Sequence, residues 1–171
     1  MALAFDIRGS LLEARTRRSG AIAALVCVLL ITPATAAENP FPSLVGSWSG
    51  TGEATLDSGK IESMRCKGYY TGQGADNLTV AIRCANASSK IDLRATLNYA
   101  NGNVSGNWEE RTYNTAGSVE GKATATKVNL AITGGGLNAS MAVSISGSSH
   151  SVAISTQGTG LKSVKIQLSK G

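Results

Sequence analysis

The sequence predicts an all-β protein: a single antiparallel meander of about nine or ten strands closed into a barrel, with a β-sandwich as the alternative. Three observations carry this. Apolar and polar residues alternate with period two, and turn residues interrupt the alternation at intervals of roughly 8–14 residues. Asn101-Gly102 is a two-residue turn whose flanks pair in register, because Asn-Gly favours the positive φ values of a type I′ hairpin. Cys66 and Cys84 sit symmetrically about Gln73-Gly74-Ala75-Asp76, so a hairpin folded there sets them opposite one another. A meander this long buries its edges most simply by closing on itself.

Residues 1–36 have the form of an export signal. Arg8, Arg15, Arg17 and Arg18 make a basic head, an apolar run follows from Ala21 to Ile31, and Pro33 precedes the small-residue site Ala34-Thr35-Ala36. The apolar run is about a dozen residues, short of the roughly 20 that span a bilayer. Cleavage is expected after Ala36, with no permanent membrane span, and the product is expected in the periplasm or secreted. Cys27 lies inside the apolar run, which argues against a lipid-modified N-terminal cysteine. Thr16-Arg17-Arg18 is followed by Ser19-Gly20 rather than by apolar residues, so an ordinary secretory leader fits better than a twin-arginine one.

The remaining residues, about 135, suit one domain with a real core. Residues 37–43, containing Glu38-Asn39-Pro40-Phe41-Pro42, are expected as an extended lead-in, and the barrel as 44–171. The first strand carries Trp48 with Gly46, Gly50 and Gly52 on the same face, where glycine suits a coiled strand whose opposite walls approach closely.

The first hairpin admits two registers. A tight turn at Asp57-Ser58-Gly59-Lys60 opposes Leu56 to Ile61 and turns Arg65, Lys67 and Tyr69 inward, which would make a cationic cavity. A shift of one residue turns Met64, Cys66 and Tyr70 inward and makes an apolar core. The cysteine hairpin favours the second, since it opposes Gly68 to Ile82 and Tyr70 to Val80, with Leu78 on the same face; a bulge near Ser63 could reconcile the two. In an exported protein the two cysteines are expected to form a structural disulfide, without the C-x-x-C spacing of a redox site.

Folding at Asn101-Gly102 opposes Tyr99 to Val104, Leu97 to Gly106 and Ala95 to Trp108. Ile91, Leu93, Ala95, Leu97 and Tyr99 then share one face, and Asp92, Arg94, Thr96 and Asn98 the other. Gly134-Gly135-Gly136 is a loop or corner. A turn at Gly147-Ser148 opposes Ile145 to His150, Val143 to Val152 and Met141 to Ile154. The closing strand, Ser163 to Ser169, turns Val164, Ile166 and Leu168 inward. Many inward positions are small, including Gly106, Gly121, Ala123, Ala125 and Ala139.

The chemistry-bearing residues are few, and no enzyme is expected. A Ser-His-acid triad needs an acid behind the imidazole, yet no acidic residue follows Glu120, and Ser149 and Ser151 alternate away from His150. With one histidine and the cysteines paired, no metal site is expected. Glu109 and Glu110 point to opposite faces and cannot converge as a glycosidase pair would. Glu110 faces inward beside Trp108, where a carboxylate wants a partner at the rim or on a ligand.

Net charge is +5 for the whole sequence and falls to about +3 beyond residue 36, with 12 Lys and Arg against 9 Asp and Glu. The basic residues are spread along the strands and aromatic residues make up 5%, so no nucleic-acid partner is expected. Sequons at Asn77, Asn86, Asn103 and Asn138 are what chance supplies in a chain rich in Asn, Ser and Thr.

Leu44-Val45-Gly46-Ser47-Trp48-Ser49-Gly50-Thr51-Gly52 resembles the Gly-x-Trp signature on the first strand of calycin barrels, the group of lipocalins, fatty-acid-binding proteins and nitrobindin-like haem barrels. The resemblance covers about nine residues. It implies a calycin-like barrel closed at one end by Trp48, with an internal cavity for an apolar ligand. Such a cavity would be lined by Trp48, Tyr70, Leu97, Tyr99, Trp108, Met141 and Ile154, with Glu110 at its edge. No cofactor is expected, since haem needs a histidine and the chain's single one, His150, falls near a hairpin turn with no second feature of a haem site. More loosely, the chain resembles exported bacterial inhibitors of proteases and lysozyme, and uncharacterised exported proteins of proteobacteria. The expected function is an exported cell-envelope binding protein for a small apolar or amphipathic ligand. The alternative is a protein-binding module such as an envelope inhibitor, or a structural envelope protein with no cavity.

Overall fold

The computed structural model describes residues 38–157 and 160–171; the export signal expected over 1–36 lies outside them. Ten antiparallel strands follow one another: β1 (Gly46–Leu56), β2 (Ile61–Gly72), β3 (Asn77–Ala85), β4 (Lys90–Ala100), β5 (Asn103–Glu110), β6 (Thr115–Thr124), β7 (Lys127–Gly134), β8 (Leu137–Ser146), β9 (Ser149–Gln157) and β10 (Leu161–Lys170). Each pairs with its neighbours in sequence, and β10 pairs back on β1, so the sheet is a closed barrel without a free edge. Sequential hairpins produce this arrangement because each turn contains residues that accept the required backbone. Asn101 and Gly102 both have positive φ, 50° and 83°, and Tyr99 faces Val104 across them as expected.

The cysteine hairpin has the register expected of it. Cys66 faces Cys84, Gly68 faces Ile82 and Tyr70 faces Val80. The two cysteines are disulfide-bonded, with Cα atoms 4.1 Å apart. The first hairpin takes the apolar register: Gly52 faces Met64 and Gly50 faces Cys66, while Arg65, Lys67 and Tyr69 turn outward. Thr55 faces Ile61 and the Leu56 N–H donates to the Lys60 carbonyl oxygen, so only Asp57-Ser58-Gly59 make the turn, one residue fewer than in the other register. The irregularity suggested near Ser63 falls elsewhere, between Thr55 and Leu56 where β1 meets β10. Ala125 also departs from expectation: it occupies the turn between β6 and β7 rather than an inward strand position.

The lead-in is not extended. Phe41–Leu44 form one helical turn, α1, with Pro42 early in it, where a missing N–H costs nothing. Asn39 sets this turn by accepting the Phe41 N–H at 3.0 Å while donating to the Ala75 carbonyl oxygen in the β2–β3 turn at 2.9 Å. The extended reading overlooked that local competition between side chain and backbone. α1 lies at the barrel end where β1 begins, and both Phe41 and Leu44 are buried. Burying each contributes about 1.5–3 kcal/mol.

The role expected of the first-strand glycines is corrected in one respect. A Cβ on Gly50 would overlap the Gln167 backbone oxygen of the adjacent β10, not the opposite wall. At Gly121 the same overlap occurs with the Asn129 oxygen of β7. Such glycines let a strand bend sharply against its neighbour, which a closing sheet needs at its corners.

Candidate functional site

The end beneath α1 is plugged by aromatic side chains from four strands. Trp48, on β1, is 2% exposed, and its indole N–H donates to the Leu44 carbonyl oxygen at 2.8 Å, locking α1 over the strand. His150 of β9 lies edge-on to the Trp48 ring, with centroids 4.4 Å apart. The Tyr70 hydroxyl is 3.1 Å from His150 Nε2. Tyr99 meets Phe41 of α1 edge to face at 6.0 Å. Outside the plug, Lys170 Nζ sits 5.4 Å from the Trp48 ring centroid and donates to the Ser43 carbonyl oxygen at 3.3 Å. Trp48 therefore closes one end of the barrel.

The plug is also an unusual electrostatic environment. Burial pushes the His150 pKa down from 6.5 to about 4, and pushes the Tyr70 pKa well above its ordinary 10. Both groups are neutral at pH 7. The contact between them uses His150 Nε2, while His150 Nδ1 is buried without a hydrogen-bond partner among the described residues. The sequence reading gave His150 little weight. The signal that locates it is its place opposite Ile145, on the inward face it shares with Val152 and Ile154.

Two facing walls of the barrel are less tightly covered than the plug. Strands β3 and β4 stand across the barrel from β8 and β9 in the closed order. Leu78, Ile82, Ile145 and Val152 of these strands are buried, but other inward apolar side chains are only partly so: Val80, Leu93 and Leu97 on one side, Ala139, Met141 and Ile154 on the other. On β2 and β7, Met64, Cys66, Leu130 and Ile132 are all buried.

The residues expected around a cavity thus separate into groups. Trp48, Tyr70 and Tyr99 belong to the plug, whereas Leu97, Met141 and Ile154 lie on the two facing walls with partial exposure. Trp108 is buried opposite Gly117, and its indole N–H reaches over that glycine to donate to the Thr133 carbonyl oxygen at 3.1 Å. Glu110 sits at the rim away from α1, accepting the N–H of Asp92 at 2.8 Å and that of Tyr113 at 2.6 Å. Burial raises the pKa of that carboxyl, but backbone donors at Asp92, Tyr113 and Thr112 outweigh it and hold it below 4.5. Its expected partner is backbone.

Asp92 is an outward residue that is nonetheless buried, between Arg83 (Nε to Oδ2, 3.2 Å) and Arg94 (Nε to Oδ1, 3.9 Å). No group of three or more His, Cys, Asp or Glu side chains gathers as a metal site among the described residues, and none of their helices is long and apolar enough to cross a membrane. A depression of about 440 Å³ on the outer wall is lined by Asn77, Thr96, Asn98, Ser105 and Glu120, among others, and carries no cluster of titratable groups.

The sequence matches no protein-family model and no curated protein. Solved structures do share the architecture. The crystal structure of Rv2717c from M. tuberculosis aligns with a TM-score of 0.66 at 14% identity, over 75% of this chain and 93% of that one. The S-type phycobiliprotein lyase CPES from Guillardia theta aligns at 0.55 and 14% identity, over 77% and 90%. The structure of EF1p2_mFAP2b bound to DFHBI aligns at 0.50 and 9% identity, over 78% and 98%. At such identities the likeness is one of fold: the chain is built as these barrels are.

Proposed function

We propose that the protein is an exported cell-envelope binding protein that holds a small apolar or amphipathic ligand between the β3–β4 and β8–β9 walls of the barrel, and that it binds without catalysing. One observation carries this reading. Several inward apolar side chains on two facing walls, Leu97 and Met141 among them, keep part of their surface exposed while the α1 end is plugged. A largely apolar lining with few polar groups is the usual form of a small-molecule site. Two of the similar folds are in keeping with it: one is bound to the small molecule DFHBI, the other is a phycobiliprotein lyase. Export is supported by the leader sequence and by the disulfide.

The test is native mass spectrometry of protein purified from an oxidising compartment, followed by denaturing extraction. A reproducible extra mass that disappears on denaturation supports the carrier role and names the ligand class. Met141→Trp and Leu97→Trp should reduce the bound fraction at least tenfold by filling the space between the walls. Unchanged binding in both would remove the ligand from between these walls.

A further inference from the structure

Sequence order spreads the basic residues along the chain, but the barrel collects several of them. On the outer wall of β2–β4, Lys67 faces Arg83, which faces Asp92. In the next outward row, away from α1, Arg65 faces Ala85, which faces Lys90. In the row toward α1, Tyr69 faces Ala81, then Arg94, then Glu109. Five cations thus share one wall with two acids. One acid, Asp92, is buried between two of the arginines.

This wall carries the whole net charge of the barrel. Residues 38–171 hold 12 Lys and Arg against 9 Asp and Glu, and the seven basic and seven acidic residues outside this wall cancel. Glu53, on the neighbouring β1, faces Lys165 of β10. The cations are accessible: Arg65, Lys67 and Lys90 are exposed, and the Arg83 and Arg94 side chains are 56% and 43% exposed. Among them stands Tyr69, 51% exposed, opposite the small residues Ser47 and Ala81.

We infer that the outer wall of β2–β4 is a docking surface for an anionic phospholipid bilayer. Headgroup phosphates complement a spread of cations, whose aliphatic stems can lie along the interface. A tyrosine ring with its polar tip is suited to the headgroup level. Nucleic acid fits less well. Tyr69 is the single exposed aromatic residue on the wall, where a single strand wants successive stacking rings.

The test is sedimentation of the purified protein with phosphatidylcholine vesicles, with and without half phosphatidylglycerol. Each basic residue at such a surface contributes about fivefold to partitioning. The double variant R65E/K67E should therefore lose at least about 20-fold in binding to the anionic vesicles. K122E/K127E changes net charge equally on β6 and β7 and should lose little. Near-UV circular dichroism checks that both variants keep their packing. For the unaltered protein, 0.5 M salt should release it from the vesicles, since screening is then strong. Binding that survives salt, equal binding to neutral vesicles, or equal loss in both variants would overturn the inference. So would a duplex oligonucleotide that displaces the protein from vesicles at stoichiometric concentration, which would assign the wall to nucleic acid.

Discussion

The Tyr70 hydroxyl, 3.1 Å from His150 Nε2, ties β2 to β9 over the top of β1 and β10. Neither group can change its charge without cost there. A proton on His150 would be desolvated beneath Trp48, with its second ring nitrogen unpartnered among the described residues. The plug is therefore held by neutral groups whose neutrality depends on pH.

Acid should loosen the barrel through His150. Its folded pKa is about 4 against an ordinary 6.5, so between those values the unfolded chain binds a proton that the folded chain excludes. The contribution is intact above about pH 6.5, is lost as pH falls toward 4, and does not change further below that. Integrated over the window it amounts to about 3 kcal/mol. Urea unfolding at pH 7, 5.5 and 4 should show this fall, and His150→Asn should flatten it. Tyr70→Phe should cost about 1–3 kcal/mol at pH 7 by leaving Nε2 unpaired.

A second acid-sensitive group acts in a lower window. Glu110 has a folded pKa below 4.5, so its contribution is present above that value and is lost as pH falls below it. Glu110→Ala should cost about 2 kcal/mol at pH 7, because the Asp92 and Tyr113 N–H groups lose their acceptor. Hydrogen exchange at those two amides should quicken while the plug at the α1 end stays protected. Equal quickening throughout would mean that Glu110 stabilises the barrel globally rather than its rim.

Much of this fold was legible because antiparallel pairing is local. Once Asn101-Gly102 is a two-residue turn, every pair from Tyr99–Val104 to Ala95–Trp108 follows by counting. What counting could not reach were contacts between strands distant in sequence. Tyr70 and His150 are 80 residues apart and meet only because the sheet closes. Asp92 alternates outward, as the pattern says, yet is buried because Arg83 and Arg94 fold over it. The basic wall was hidden for the same reason, since Lys67 and Arg83 adjoin in space but not in the chain. Asn39 was missed through a local effect, its side chain competing for the backbone that α1 uses.

The disulfide should contribute stability without setting the register. Cys66 and Cys84 are separated by 18 residues, a loop whose closure is worth about 3 kcal/mol in the chain-entropy model. The flanking pairs Gly68–Ile82 and Tyr70–Val80 specify the same alignment independently. The double variant Cys66→Ala/Cys84→Ala should therefore lower the urea midpoint and leave the far-UV spectrum unchanged. A changed spectrum would mean that the bridge is needed to align β2 with β3.

Closure of the barrel should depend on Gly121 more than on glycines in its turns. A side-chain carbon there would overlap the Asn129 backbone oxygen on β7, and that oxygen cannot withdraw without breaking the β6–β7 ladder. Gly59, by contrast, has a positive φ of 85° but open space around its Cβ position. Gly59→Ala should cost about 1 kcal/mol, the penalty of a left-handed backbone. Gly121→Ala should cost about 3 kcal/mol or more, the upper range for forcing atoms into filled space. Equilibrium unfolding of the two variants decides the matter. If Gly121→Ala proves as mild as Gly59→Ala, the strand can straighten, and the sharp bend is not what closes the sheet.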